Sequence, residues 1–430
     1  MKLKLLLVPL VGAVLAFSAA GTAAQSAPSP TAGTKLATDL ISPRGMKIGP
    51  DGMIYVAEAG SAGDTKVGSG DGESRSGLTG RISKIDPVTG TRTTVVDKLP
   101  SNGGAEGDSV GPADVAFLNG NLYYVQTHGG AAYGFPDNPT GLYRVNTDGT
   151  LKLIADIGAY NIANPIADVK NGIQKDIEVG GNPYAMIARD GAFYITDGNQ
   201  NQILKITPNG TITRMSEFTG HPVLTGIASA DSGGPLYVSE LGQGPFLPSD
   251  GRVIQVGVPT GSQTTIASGF SSMTDVEVGP GGQLYALSFG DFAPGPNGPP
   301  WMLGSAKIFK VDASAGKLVP LVTGFSLATS IIFSGDTAYV ANFGVSFPGA
   351  PGEIWQIKNF SSIAPLPAAP KPAAPAPAAP TATPRAAIAA PNTGSGPANG
   401  GSGTTLWIVT LAAAALGAIA VGGGVAAKRH

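Results

Sequence analysis

The 430 residues contain no cysteine, which excludes disulfide frameworks, thiolate metal sites, iron–sulfur clusters and cysteine nucleophiles together. Histidine is nearly missing as well. His128, His221 and His430 are too few for a His-rich zinc centre, which takes three or four nitrogen or sulfur ligands. Charge is scarce, at 13% of residues against about 25% in an ordinary domain, and the 27 Lys and Arg nearly balance the 29 Asp and Glu. No basic excess points to nucleic acid as a partner. What the chain does have is turn chemistry: 63 Gly and 36 Pro exclude a mainly helical protein.

Both ends read as addresses. Residues 1–24 place Lys2 and Lys4 before an apolar run, Leu5 to Phe17, and a small-residue stretch ending at Ala24, the layout of a secretory signal peptide. At the other end a transmembrane helix is expected over 404–427, because Leu406 to Ala427 is 22 residues without a charge, followed by the basic tail 428–430. The linker 361–403 precedes it. Its part from Ser361 to Gly400 holds 10 Pro and 14 Ala, which cannot bury a core and reads as a disordered, extended stalk. Within it, Ala390, Pro391, Asn392, Thr393 and Gly394, then polar residues, an apolar span and a basic tail, resemble an LPxTG cell-wall sorting signal, with Ala390 where that signal has Leu. The resemblance implies a sortase and the cell wall as partners. The expectation is an exported protein held at the cell surface by its C-terminus.

The ordered part, 35–360, repeats itself. A first strand, a tight turn and a second strand with an aromatic anchor recur six times, the anchors being Tyr55, Tyr124, Tyr194, Tyr237, Tyr285 and Tyr339. Each is followed by a third strand with period-2 alternation, such as Gln202 to Thr207 or Lys307 to Asp312, and five of these lead through a short turn into a fourth. The sixth repeat lacks its fourth strand, because the chain runs from Ile357 into the stalk. Lys35 to Leu40 reads as the missing one. The pattern predicts an all-β protein, a six-bladed β-propeller closed by its N-terminal strand.

Loop lengths separate two faces. Turns such as Pro50-Asp51-Gly52 are short, whereas the second-to-third-strand loops and the connections into first strands are long and collect on the opposite rim, where binding groups are usually placed. That rim is rich in acids, amides and aromatics. Its ligand-binding candidates are Arg44, Glu58, Asp197, Asn199, Glu240 and Phe246. Oxygen-rich groups of this kind suit a hard divalent cation, Ca²⁺ first, and fit solvated loops equally well. Where first strands begin, Arg44, Asp114, Asn182, Thr225, Asp275 and Ser330 are expected to ring a central channel. His128 and His221 fall in long-loop connections, where one could serve as a general base. The Ala230-Asp231-Ser232-Gly233-Gly234 stretch reads as a hairpin turn and not as a protease nucleophile, since no His base stands in a matching context.

Several stretches together resemble the ScyD/ScyE family of exported proteins, itself similar to NHL and gluconolactonase-type six-bladed propellers: Ser76 to Ile82, Asn182 to Ala185 with Asp197 to Asn201, Leu236 to Leu241 with Gly244 to Phe246, and Ser268 to Phe270 with Thr274-Asp275. The likeness covers most of Pro43 to Phe360. It implies a propeller, and through the gluconolactonase-like relatives a divalent metal in the channel. Two functions stay open on this reading. One is a surface-anchored propeller that binds a ligand or partner through its long-loop face. The other is a metal-dependent hydrolase or lactonase with Asp114, Asn182 and Asp275 as metal ligands and His221 as base.

Overall fold

The computed structural model describes residues 29–68, 74–103, 109–174, 178, 180–230, 232–242, 246–247, 250–292, 301–345 and 350–367. The expected signal peptide, most of the expected stalk, the sorting-like motif Ala390 to Gly394, the expected span 404–427 and the residues 428–430 lie outside the described residues.

The described chain is nearly all β, in curled, propeller-like antiparallel sheets. In the first, β2 (Pro43–Ile48), β3 (Ile54–Glu58), β5 (Ser74–Ile85) and β6 (Arg92–Gly103) follow one another, with β4 (Thr65–Val67) added to β5 and β7 (Ser109–Val110) added to β6. The second holds β8 (Pro112–Leu118), β9 (Asn121–Gln126), β10 (Gly141–Val145) and β11 (Leu151–Asp156). The third holds β12 (Pro183–Arg189), β13 (Ala192–Asp197), β14 (Gln202–Ile206) and β15 (Ile212–Glu217). Then come β16 (Leu224–Ala228), β17 (Leu236–Glu240), β18 (Gly251–Val256) and β19 (Gln263–Phe270), followed by β20 (Met273–Val278), β21 (Leu284–Ser288), β22 (Ala306–Asp312) and β23 (Lys317–Phe325). These two sets are joined at their outer edges by one parallel bridge, Ser268 to Lys317.

The last set is β24 (Ser330–Ser334), β25 (Thr337–Asn342) and β26 (Gly352–Lys358), and its fourth strand is β1 (Thr34–Leu40) from the other end of the chain. Two short helices, α1 (Ile157–Ala163) and α2 (Ala167–Lys170), fill the connection between β11 and β12. Sequence alternation had not marked them, because each is too short to show a helical period.

The first strands β2, β8, β12, β16, β20 and β24 contact one another in a closed cycle. Apolar clusters fill the space between each neighbouring pair of sheets. Met46, Val56, Tyr339 and Ile354 pack where the last sheet meets the first, and Tyr124 and Tyr143 pack with Ile82 where the first meets the second. The aromatic anchors are therefore inter-sheet core, with Tyr124 and Tyr194 almost wholly buried.

Candidate functional site

The expected channel ring is not one layer. In β8, β12 and β20 a bulge separates the pair Pro112↔Gln126 from Asp114↔Val125, Pro183↔Asp197 from Ala185↔Thr196, and Met273↔Ser288 from Asp275↔Leu287. The register thus sets Asp114, Ala185 and Asp275 in equivalent places, with Gly45, Gly226 and Ser330 beside them in the other sheets. Arg44 and Thr225 fall one residue earlier, and Asn182 precedes its strand. The extra bulge residue, invisible in a hydrophobic pattern, shifts the count.

Asp114 and Asp275 act as latches between neighbouring sheets. Asp114 accepts its own Val115 N–H on Oδ1 at 2.8 Å and the next sheet's Met186 N–H on Oδ2 at 2.8 Å. Asp275 repeats the arrangement with Val276 at 2.9 Å and Ile331 at 2.8 Å. Gly45 and Gly226 make room for this, since a Cβ at either would fall onto the Asp114 or Asp275 carboxylate. Threonines complete the set. Thr225, Thr274 and Thr329 hydroxyls donate to the Met273, Ala328 and Pro43 carbonyls of the following sheets at 2.8, 2.9 and 2.7 Å. Thr at one register position in three consecutive repeats was the legible signal for this, and only alignment on the bulge exposes it.

A cation already stands near the two carboxylates, paired with Glu277. The Lys47 ammonium lies 3.4 Å from Glu277 Oε2 and is drawn also to Asp114 and Asp275; burial would lower its pKa, but the three carboxylates together push it above the usual ammonium range. Burial in turn raises the carboxyls, Asp114 to about 6 and Asp275 to about 7, against the pull of Lys47. Asn182, the third expected metal ligand, accepts from Thr127 Oγ1 at 3.1 Å through Oδ1. Among the described residues no group of three His, Asp or Glu side chains is arranged to hold a metal ion.

The rim candidates are mostly buried and committed. Glu58 is fully buried, taking Arg81 Nε and Nη2 at 2.8 and 2.6 Å, the Ile41 N–H at 2.7 Å and the Ser83 hydroxyl. Glu240 takes Arg252 Nε at 2.5 Å, and burial outweighs that partner, raising its carboxyl to about 7. Asp197 accepts the Asn182, Asn199 and Gln200 amides and Asn161 Nδ2 at 2.7–3.2 Å, and burial pushes it up. Asn199 accepts the Glu178 N–H at 3.0 Å. Arg44 donates to the Ser109 carbonyl at 2.6 Å. These groups tie long loops to strand ends, since each sits where a second strand hands over to a loop or where a first strand begins.

Phe246 belongs to an aromatic cluster on the same side, 5.0 Å from Phe292 and 5.0 Å from Trp301, with Phe289 and Phe343 beside it. His221 has its Nδ1 2.7 Å from Asn201 Nδ2, which makes that ring nitrogen an acceptor. The residue that a composition reading undervalued is His128. It is buried, stacked on Tyr133 at 4.3 Å, and bridges Asn102 and Glu178 at 3.2 Å each. Ser232 lies in the turn between β16 and β17, where its hydroxyl donates to Asp190.

No family model matches the chain, and no curated protein sequence matches it. Solved structures that resemble it include an oxidoreductase described as a glucose dehydrogenase from Thermus thermophilus, at 17% identity and TM-score 0.47 over 75% of this chain and 99% of that one. Another is the PQQ-bound aldose sugar dehydrogenase of Streptomyces coelicolor, at 14% identity and TM-score 0.45 over 78% and 99%. A gluconolactonase from Xanthomonas campestris shares 16% identity at TM-score 0.40 over 76% and 98%. The function is read from the chain's own residues.

Proposed function

We propose that the cycle of sheets is a six-bladed propeller of ScyD/ScyE type, exported, anchored at the cell surface through its C-terminal segment, and serving to bind a ligand or partner through its long-loop face. One observation carries the reading. Among the described residues, the exposed large apolar side chains Ile162, Ile173, Leu247, Met302 and Leu303 belong to long-loop connections, Leu78 lies in β5, and Val88 and Leu153 lie elsewhere. Exposed apolar groups gathered on one face of a charge-poor protein mark an interaction surface. The chemistry beneath them supports binding over turnover, since Asp114 and Asp275, expected as metal ligands, and His221, expected as base, are engaged in holding sheets and loops.

The test is capture on intact cells. The full chain should retain a surface component that is lost in the Ile162→Asp, Met302→Asp double variant while its melting temperature is unchanged. Equal capture by that variant would sink the reading.

A further inference from the structure

On the long-loop side His128 and Glu178 meet in a way that a hydrogen bond does not explain. Nε2 and Oε2 stand 3.2 Å apart, with side chains 1% and 2% exposed, and no hydrogen bond joins them. The distance is within reach, so it is the angle that fails. The other ring nitrogen is fixed. Asn102 gives its Nδ2 hydrogens to the Ser74 and Ser76 hydroxyls at 2.9 Å each, so its Oδ1 takes the Nδ1 hydrogen at 3.2 Å, and Tyr133 stacks on the ring at 4.3 Å. Nε2 therefore presents a lone pair beside a buried carboxylate oxygen. Two such atoms repel unless a positive ion bridges them from the side. Gln200 adds a further acceptor: it is 3% exposed, its Oε1 has no hydrogen-bond partner, and its Nε2 lies 3.4 Å from Asn199 Oδ1, the atom that accepts the Glu178 N–H at 3.0 Å.

We propose that His128 Nε2 and Glu178 Oε2 bind a divalent transition-metal ion of the zinc class, with Gln200 Oε1 as a further oxygen donor and water completing the shell. Nitrogen and oxygen ligands each about 2.0–2.2 Å from such an ion, at right-angled to tetrahedral spacing, stand about 3.0–3.4 Å from one another. The 3.2 Å separation fits that geometry. The Nδ1 hydrogen bond to an amide oxygen is the outer contact that orients a ligating imidazole. An imidazole ligand favours this class of ion over Ca²⁺ or Mg²⁺, which take oxygen. Asn102 and Tyr133 hold the ring from its other edge and its face, so the ion is taken up when offered and the fold does not depend on it. The site is separate from Asp114, Asn182 and Asp275 and from the exposed apolar surface above, so it stands or falls without either.

Calorimetric titration of the full chain at pH 7.5, after chelator treatment and dialysis, tests it with Zn²⁺ and Ca²⁺. Zn²⁺ should bind saturably, with Ca²⁺ at least tenfold weaker. His128→Gln and Glu178→Gln should each weaken Zn²⁺ at least tenfold. Nitrogen NMR of the unaltered chain keeps the test decisive if those variants do not fold, since saturating Zn²⁺ should shift the His128 Nε2 resonance and leave Nδ1 protonated. Absence of saturable Zn²⁺ binding, equal binding of Ca²⁺, undiminished Zn²⁺ affinity in folded His128→Gln, or an unmoved Nε2 resonance would overturn the proposal.

Discussion

His128 and Glu178 meet ring nitrogen to carboxylate, Nε2 to Oε2 at 3.2 Å, with side-chain exposures of 1% and 2%. The hydrogen bonds around them decide where the imidazole proton sits. The Ser76 hydroxyl must donate to the Tyr133 carbonyl at 2.7 Å, so it accepts from Asn102 Nδ2 at 2.9 Å. The Asn102 oxygen therefore faces His128 Nδ1 at 3.2 Å, and Nδ1 carries a hydrogen. Nε2 lies against Glu178 Oε2 in an ion-pair contact, without a hydrogen bond between the two. Nitrogen NMR of the labelled chain should show a protonated Nδ1 on His128; an unprotonated Nδ1 would contradict the network.

With Asn102 the pair joins three parts of the chain, strand β6, the loop after β9 and the connection before β12. His128→Ala should destabilise the protein by about 3 kcal/mol, because it strands a buried acceptor and a buried carboxyl. The double variant His128→Ala, Glu178→Ala should lose clearly less than the sum of the singles in urea unfolding. Strict additivity would mean the two side chains do not act together.

Asp114 and Asp275 should behave as latches. Replacing either by Ala leaves two amide hydrogens without a partner, Val115 and Met186 in one case, Val276 and Ile331 in the other, at a cost of about 2–4 kcal/mol each. Thr329→Val, which removes the bond to Pro43 across the closure, should cost about 1 kcal/mol. Denaturant midpoints measure all three.

The same carboxyls make stability fall as pH rises. Folding lifts Asp114 from 3.8 to about 6, Asp275 from 3.8 to about 7 and Glu240 from 4.5 to about 7. Between the unfolded and folded values the native state holds more protons than the unfolded chain, so the linkage slope is negative there. Stability from these groups is greatest at the acid side of this window and is gone above about pH 8. Allowing for nearby counter-charge and solvent, about 2 kcal/mol is at stake, and the melting temperature should rise by a few degrees from pH 8 to pH 5.5. Asp275→Asn should flatten that rise.

Removal of divalent metal should leave the described domain unchanged. Lys47 already supplies positive charge beside Asp114 and Asp275, and Asn182 is bonded to Thr127. Melting with and without a chelator should coincide, and a screen of small lactones should give no turnover sensitive to His221→Ala. A chelator-dependent drop in melting temperature, reversed by Ca²⁺, would instead favour the metal-dependent hydrolase reading.

Much of the architecture could be read from the chain because its signals are local. Period-2 alternation, Gly-rich turns and a recurring tyrosine appear wherever a strand pair forms, so the four-strand repeat and the role of 35–40 as a last strand needed no tertiary information. The contrast between long and short loops was equally visible. Candidate residues were legible only as residue types. That Glu58 faces Arg81 and Glu240 faces Arg252 follows from strand register, which turned expected ligand groups into buried partners.

By itself, then, the sequence determined that this is a repeated β-sheet protein with long polar and apolar loops on one face, because strand alternation and turn chemistry act over a few residues. The tertiary structure alone decided which side chains meet. Lys47 reaches Glu277 across 230 residues of sequence, and one bulge residue in a first strand decides whether a carboxylate points at a neighbour's amides or elsewhere. Contacts across the ring depend on closing all the sheets around one axis, and no short-range pattern in the chain carries that information.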